Sequence, residues 1–200
     1  LFRFWRLAAV PPGLFGDEAA NGLDALDVLA GRSRVFFTAN YGREGLAMQA
    51  FAAAIRLGGT SALALRVPPA LAGILTAWTT YWLGRELLRH TRYRGLLAPT
   101  LAALLLASSF WHVYTSRYAE RLIFTPLAAT LAFAAFWRGV NQPRRAERWL
   151  WFTLSGVALG ASLNFYSIAR LLPVFLGIYL LAELAYTRIA AREPGQRAAP

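Results

Sequence analysis

Five apolar runs, each close to the length of a membrane-spanning helix, constrain this chain more than any other feature. They cover residues 63–84, 95–111, 122–137, 149–166 and 171–186. A helix needs about 20 mostly apolar residues to cross the hydrocarbon core of a bilayer. Residues 1–11 have the character of the end of one more span. The pattern therefore predicts an all-α, polytopic membrane helix bundle.

The distribution of positive charge predicts how this bundle is oriented. The chain carries 21 basic residues, all arginine, for a net charge of +11. They are concentrated in the links 84–95 and 138–148 and in the tail 187–197, which the positive-inside rule assigns to the cytoplasm. Residues 12–62, 112–121 and 164–170 then lie on the outer side. Because the arginines separate apolar runs, we expect membrane lipids rather than nucleic acid as partners.

The residue inventory excludes several kinds of site. The chain has no cysteine and two histidines. It therefore has no disulfide, no thiolate nucleophile and no Cys-based metal centre, and the histidines are too few and too far apart for a metal cluster.

Acidic residues collect in the segment "PPGLFGDEAANGLDALDVLAG" (11–31). With Glu44, its four acids make up half of the ten in the chain. A period of three and four residues gives this segment an apolar stripe and an opposing polar face, made of Asp17, Asn21 and Asp24 with Glu18 at its flank. We expect a helix lying on the outer membrane surface, and a second one at 45–59.

Two interpretations of the outer acids remain open. They form a solvated helix face, or they supply a carboxylate that acts as a general base or metal ligand. Asp17 and Glu18 follow directly on a membrane segment, where the head group of a lipid-linked substrate would sit. We therefore favour a catalytic role for this pair.

Arginines on the outer side are the second candidate constellation. Arg117 and Arg121 are four residues apart in "SRYAERLIF", so on a helix they would share a face, with Glu120 beside them. Their position runs against the positive-inside bias, and paired guanidinium groups suit a phosphate. Arg66 and Arg170, at outer ends of spans, are candidates to join them. Arg43 and Glu44 in the Gly-bounded turn "YGREGL" form either a loop salt bridge, which the motif alone favours, or a further part of the site.

The order of these motifs resembles the membrane module of GT-C glycosyltransferases, in particular the group of protein mannosyltransferases and aminoarabinose transferases (glycosyltransferase family 39-like). The resemblance runs through "GDEA", "YGREGL", "TSALALRVPPALAGILTAWTTYWLGREL", "SRYAERLIFTPLAATLAFAAFW" and "GVALGASLNFYSIARLLPV". In the last of these, Tyr166 and Arg170 stand where related enzymes commonly have a Lys-bearing turn.

The resemblance implies a hexosyl- or pentosyltransferase of the cell envelope, in a bacterial inner or plasma membrane. Its donor is a sugar on a polyprenyl phosphate, its acceptor is a lipid, glycan or protein that the sequence does not identify, and transfer proceeds with inversion on the outer face. Asp17 becomes the general base or acceptor-positioning residue, and Glu18 supports it. Arg117 and Arg121, joined by Arg66 and Arg170, bind the donor phosphate, while Arg43, Glu44, Glu120 and Tyr166 support the site.

Cofactor and domain organisation follow from the same comparison. No cofactor is firmly implied, although the carboxylates of Asp17 and Glu18 are compatible with a bound divalent metal ion. We expect residues 1–200 to be one partial membrane module whose later part is missing, and this fragment to be inactive alone. Two other functions stay open, a transporter or flippase for an anionic lipid or solute and a non-catalytic membrane assembly subunit.

Overall fold

The computed structural model describes residues 2–38 and 42–192. The chain forms two compact units, one up to residue 169 and one from residue 170 onward. The α-helices in the described residues are α1 (Gly16–Leu29), α2 (Gly45–Gly58), α3 (Ala62–Leu87), α4 (Leu97–Ser108), α5 (Phe110–Thr115), α6 (Phe124–Val140), α7 (Arg145–Ser162) and α8 (Leu171–Arg192). Two short 3₁₀ helices cover Arg121–Ile123 and Ser167–Arg170, and the antiparallel strands β1 (Phe36–Phe37) and β2 (Arg43–Glu44) form a two-stranded sheet.

The long helix α3 organises the first unit. It packs against α4 on one side and α6 on another, and α6 packs in turn against α7. The α3–α6 contact includes a hydrogen bond between the hydroxyl groups of Thr79 and Thr130 at 2.6 Å. At Gly139 of α6, the ring of Phe152 lies so close that an added Cβ would come within 2.7 Å of it. This architecture confirms the all-α membrane helix bundle.

The apolar core lies where α2 meets α3 and α6. Met48, Phe51 and Ile55 project from one face of α2 and are almost completely buried. Phe51 makes an edge-to-face contact with Phe124 at 6.0 Å between ring centroids, and Phe165 stacks on the same Phe124 ring at 5.2 Å. Aromatic pairs of this geometry contribute beyond their buried area. The helix predicted at 45–59 thus forms part of the core on one face.

The helix α1 shows its polar face to the protein and part of its apolar face to the surroundings. Glu18, Asn21 and Asp24 are buried, whereas Leu23 and Leu26 are exposed. A solvated acidic face is therefore ruled out for Glu18 and Asp24. The exposed leucines are the surface that a helix lying on a membrane would present to lipid.

Two segments differ locally from the sequence-based expectation. The run at 95–111 is divided at Ser109 between α4 and α5. Residues 116–120 are not helical, because α5 ends at Thr115 and the next helical turn begins at Arg121. The shared helix face expected of Arg117 and Arg121 is therefore wrong.

Three described helices are long and apolar enough to cross a membrane, at Ala62–Leu87, Arg121–Val140 and Ser167–Ile189. Two shorter apolar helices cover Gly45–Gly58 and Leu97–Ser108. The division of the chain into five spans, with an outer loop at 12–62, remains a prediction.

The charged links of the first unit gather at its two ends. The start of α3 is bonded to the start of α1 through Arg66 and Glu18, and Leu46 of α2 donates its backbone N–H to Asn164 after α7. At the opposite end, Arg138 and Asn141 of the α6 terminus bond Glu86 near the end of α3. The candidate site lies at the first end.

Candidate active site

A buried ion pair between Glu18 and Arg66 fixes α1 to α3. Arg66 donates from Nε to Glu18 Oε1 at 2.9 Å and from Nη2 to Glu18 Oε2 at 3.0 Å, and both residues are fully buried. The same carboxylate accepts the backbone N–H groups of Phe15 at 3.0 Å and Ala119 at 2.9 Å. Burial alone would raise the pKa of Glu18, but these hydrogen bonds outweigh it and hold its pKa below the ordinary value.

This saturation changes the roles expected of both residues. A carboxylate offers about four acceptor positions, and Glu18 has a donor at each of four. It therefore has no position left for a metal ion or an acceptor hydroxyl. We assign Glu18 a structural role in place of the catalytic one predicted from the sequence.

Arg66 is equally saturated. Besides its two bonds to Glu18, it donates to the carbonyl oxygens of Leu7, Pro11 and Gly13. A guanidinium has five N–H donors, and all five are used. In this structure Arg66 has no donor for a phosphate, so its expected role as a phosphate ligand gives way to that of a brace between α3 and residues 7–18.

The predicted turn residues Arg43 and Glu44 pair with other elements rather than with each other. Arg43 donates from Nη1 to Asp24 Oδ2 at 2.7 Å, and both side chains are buried. Glu44 forms an ion pair with Arg121 at 3.1 Å between Oε2 and Nη1. β2 therefore connects α1 to the start of α6. Asp24 belongs to this network although the sequence had singled it out only as part of the acidic face.

Arg121 links this network of ion pairs to Gly42 and Tyr166. Its Nη1 also donates to the carbonyl oxygen of Gly42 at 3.2 Å, and its guanidinium lies over the Tyr166 ring at 5.2 Å. Stacking on an aromatic face holds a guanidinium in one plane. Within the described residues, the contacts of Arg121 to oxygen atoms are all made by Nη1, so the three N–H groups of Nε and Nη2 remain for an anion.

Arg117 points elsewhere. It donates from Nη1 to the carbonyl oxygen of Phe2 at 2.6 Å and from Nη2 to those of Trp5 and Val10 at 2.8 and 2.7 Å. The two arginines of "SRYAERLIF" therefore hold different elements, since the backbone between them turns instead of continuing a helix. The paired phosphate grip expected of Arg117 and Arg121 is not formed.

Asp17 and Glu120 are the other two acids at this end of the unit. Asp17 is exposed on the first turn of α1, and Glu120 precedes the 3₁₀ turn at Arg121–Ile123. Burial raises the pKa of Glu120 to about 7, and the nearby negative charge of Asp17 adds to the effect. A carboxyl group with a pKa near neutrality is suited to hold or release a proton under working conditions.

Glu120 lines a cavity of about 230 Å³ together with Phe15, Tyr114, Thr115 and Tyr118. The rings of Tyr114 and Tyr118 lie 4.8 Å apart between centroids. Sequence reasoning missed this aromatic wall. The sequence did contain a signal for it, because Tyr114 and Tyr118 are four residues apart and stand just before Glu120.

Two predictions remain, which concern Arg170 and a bound metal ion. Arg170 belongs to the second unit. Among the described residues, no group of three or more His, Cys, Asp or Glu side chains is arranged to hold a metal ion. Asp17 is the member of the predicted metal pair that keeps an exposed carboxylate.

Comparison with known families identifies the protein class. A family model described as dolichyl-phosphate-mannose-protein mannosyltransferase matches residues 48–193. The chain belongs to this family. The match includes α3, Glu120, Arg121 and Tyr166 and excludes α1, so the mannosyltransferase family model does not itself cover Asp17 and Glu18. Membership of this membrane glycosyltransferase family agrees with the GT-C resemblance of the sequence. No curated protein and no solved structure matches the chain.

Proposed function

We propose that the protein transfers a sugar from a polyprenyl-phosphate donor to a lipid, glycan or protein acceptor on the outer side of the membrane. The observation that carries the proposal is that an acidic and a cationic side chain stand next to each other in one short segment. Glu120 lines a cavity, and its pKa is raised in part by the charge of Asp17. Arg121 follows Glu120 directly and keeps the N–H groups of Nε and Nη2 for a substrate anion. Membership of the mannosyltransferase family supports the donor class.

In this proposal Asp17 is the general base or acceptor-positioning group. It takes the proton of the acceptor hydroxyl while the acceptor oxygen attacks the anomeric carbon. The bond from that carbon to the phosphate oxygen breaks, and attack from the opposite face inverts the configuration. General-base assistance of this kind contributes about 10²–10⁴-fold to a rate.

Arg121 stabilises the charge that grows on the departing phosphate. Its Tyr166 and Glu44 contacts set the guanidinium before the donor arrives, and preorganised donors stabilise developing charge most effectively. Arg43 supports this arrangement through Asp24, and Glu120 lies near enough to Asp17 for the charge of that carboxylate to raise the pKa of Glu120. Arg117, Glu18 and Arg66 hold the backbone around the site.

The test compares Asp17→Asn with Asp27→Asn in membranes that contain the full-length protein. Both substitutions remove one carboxylate from α1, but Asp27 forms an exposed ion pair with Arg32. We expect transfer of labelled mannose from polyprenyl-phosphate mannose to fall at least about 100-fold in Asp17→Asn and to stay near wild type in Asp27→Asn, at equal expression.

Two results would count against the proposal. Transfer that survives in Asp17→Asn removes Asp17 as the base and leaves the enzyme class intact. Absence of transfer in wild type from mannose, glucose and aminoarabinose donors, combined with movement of the intact donor lipid across the bilayer, would favour a flippase.

A further inference from the structure

A second polar pocket lies at the opposite end of the first unit from the candidate active site. It has a volume of about 380 Å³ and is lined by three arginines, one glutamate and three aromatic side chains. The arginines are Arg85 and Arg89 of α3 and its C-terminal turn, and Arg138 of α6. The functional proposal above makes no use of this pocket.

The pocket has more positive charge than its own acid can neutralise. Glu86 is buried and accepts from Arg138 at 3.1 Å and from the side chain of Asn141 at 2.9 Å, with Arg89 at 3.7 Å. One carboxylate therefore faces three guanidinium groups. Arg85 donates to the hydroxyl of Tyr81 at 3.5 Å, at the limit of a hydrogen bond.

A favourable interaction with the end of the α3 dipole accounts for only part of this arrangement. Cations near a helix C-terminus are stabilising, which suits Arg85 and Arg89. Yet like charges four residues apart repel each other, and Arg138 on α6 brings a third charge to the same place. The pocket is thus built to attract an anion.

The pocket lies at the ends of two candidate spans, where phospholipid head groups would be found. Arg85 lies two residues before the end of the candidate span Ala62–Leu87, and Arg138 two before the end of Arg121–Val140. Trp78 and Trp82 have ring centroids 6.0 Å apart, and Trp82 meets Trp151 of α7 at 5.6 Å. Tryptophan favours the interface between hydrocarbon and water, and basic pockets at this depth bind anionic head groups.

An exposed apolar stripe leads away from the pocket along α3. Leu71, Leu75 and Trp78 are spaced by four and three residues, and each is between 46% and 59% exposed. Residues with this spacing share one helix face. An acyl chain can follow this stripe while its phosphate lies between the arginines, whereas a free phosphate ion would leave the stripe unused.

We propose that this pocket binds the phosphate of an anionic glycerophospholipid, with Arg85 and Arg138 as its ligands and the Leu71–Leu75–Trp78 stripe as the path of an acyl chain. Arg89 contributes charge, and Glu86 with Asn141 holds Arg138 in position. The site is independent of sugar transfer.

The test measures lipid binding to the purified full-length protein by native mass spectrometry. Phosphatidylglycerol is titrated against phosphatidylcholine of the same chain length, and inorganic phosphate is added as a competitor in a separate arm. The variant Arg85→Gln/Arg138→Gln is compared with Arg92→Gln/Arg94→Gln, which removes the same charge from the neighbouring link outside the pocket.

We expect phosphatidylglycerol to bind more tightly than phosphatidylcholine and the Arg85/Arg138 variant to bind it about thirtyfold more weakly, since each basic residue at an anionic surface contributes a factor of roughly five. The Arg92/Arg94 variant keeps wild-type affinity. Equal binding of the two lipids, equal loss in both variants, or displacement by millimolar phosphate would each overturn the proposal. If the double variant fails to fold, Arg85→Gln alone gives the same test with an expected loss of about fivefold.

Discussion

At the residue scale, several charged side chains near the candidate site serve to hold the fold together, and Glu18 and Arg66 are the clearest cases. Glu18 and Arg66 were predicted as site residues because a sequence reports charge and position but not the number of hydrogen bonds a side chain already makes. Their saturation depends on backbone groups as far away as Ala119. Asp17, the neighbour of Glu18, is an exposed residue on the first turn of α1.

The substitution Glu18→Gln tests the structural role of the Glu18–Arg66 pair. Removing one partner of a buried ion pair leaves the other charge uncompensated and costs about 3–5 kcal/mol. We expect a loss of this size in the free energy of unfolding, measured by denaturant titration in detergent. Asp27→Asn is the matched control, since its ion pair with Arg32 is exposed and surface pairs contribute about 0–1 kcal/mol. Equal effects of the two substitutions would disprove the brace.

Glu120→Gln tests the raised pKa of Glu120. An unfolded glutamate has a pKa of about 4.3, and the folded protein holds its proton up to about pH 7. Between these values the native state binds more protons than the unfolded state, so this group makes stability fall as the pH rises. We expect the variant to lose that part of the slope in unfolding experiments between pH 4.5 and 8. The comparison variant is Glu147→Gln, whose carboxylate binds Arg144 at the other end of the unit, and a slope unchanged in Glu120→Gln would contradict the assignment.

At the element scale, hydrophobic length located the helices, and polar details decided where they end and which face is buried. The stripe of α1 was recognised correctly as a helix pattern, but its polar side is the one packed against the protein. A hydrophobic period divides a helix into an apolar and a polar face, but it does not show which face packs against the rest of the protein. The non-helical segment 116–120 was missed because the spacing of Arg117 and Arg121 is compatible with a helix. In the structure α5 ends at Thr115, before either arginine.

Gly45→Ala tests how tightly β2 and α2 are joined to the loop before them. A Cβ at Gly45 would lie 2.2 Å from the carbonyl oxygen of Arg34 and 2.9 Å from that of Val35. Backbone atoms cannot move aside as a flexible side chain can, so we expect a destabilisation of about 1–3 kcal/mol and a lower melting temperature. At Gly156 of α7, where no described atom lies within 4 Å of an added Cβ, alanine should be neutral or stabilising by up to about 1 kcal/mol. Similar melting temperatures for the two variants would rule out a close contact at Gly45.

At the scale of the whole molecule, the length of the apolar runs was enough to indicate a membrane bundle, and family membership agrees with the resemblance of the motifs. The architecture at the candidate site was not available from the sequence, because α1, β2, the 3₁₀ turn at Arg121–Ile123 and Tyr166 come together from four separate segments spread from Gly16 to Tyr166. From the sequence, only a set of charged candidate residues could be predicted. The ion pairs and hydrogen bonds of the structure show which of these residues are already occupied by other parts of the protein.

The orientation of the bundle can be tested directly because the 200 residues contain no cysteine. A cysteine at Ser33 marks the end that holds the candidate active site, and one at Arg92 marks the arginine-rich link. We expect a membrane-impermeant maleimide to label Ser33→Cys in intact cells and Arg92→Cys only after permeabilisation, as the positive-inside rule requires. The reverse labelling pattern would place the proposed active site in the cytoplasm.

The bonding pattern of Arg66 also bears on how the protein is made. Each of its partners, the carbonyl groups of Leu7, Pro11 and Gly13 and the carboxylate of Glu18, precedes it in the chain. A ribosome has therefore already delivered all of them when Arg66 emerges. The last bond to Glu18, from the backbone of Ala119, comes about fifty residues later in synthesis. Arg66, which is fully buried, therefore has its counter-charge present in the chain from the moment it is synthesised.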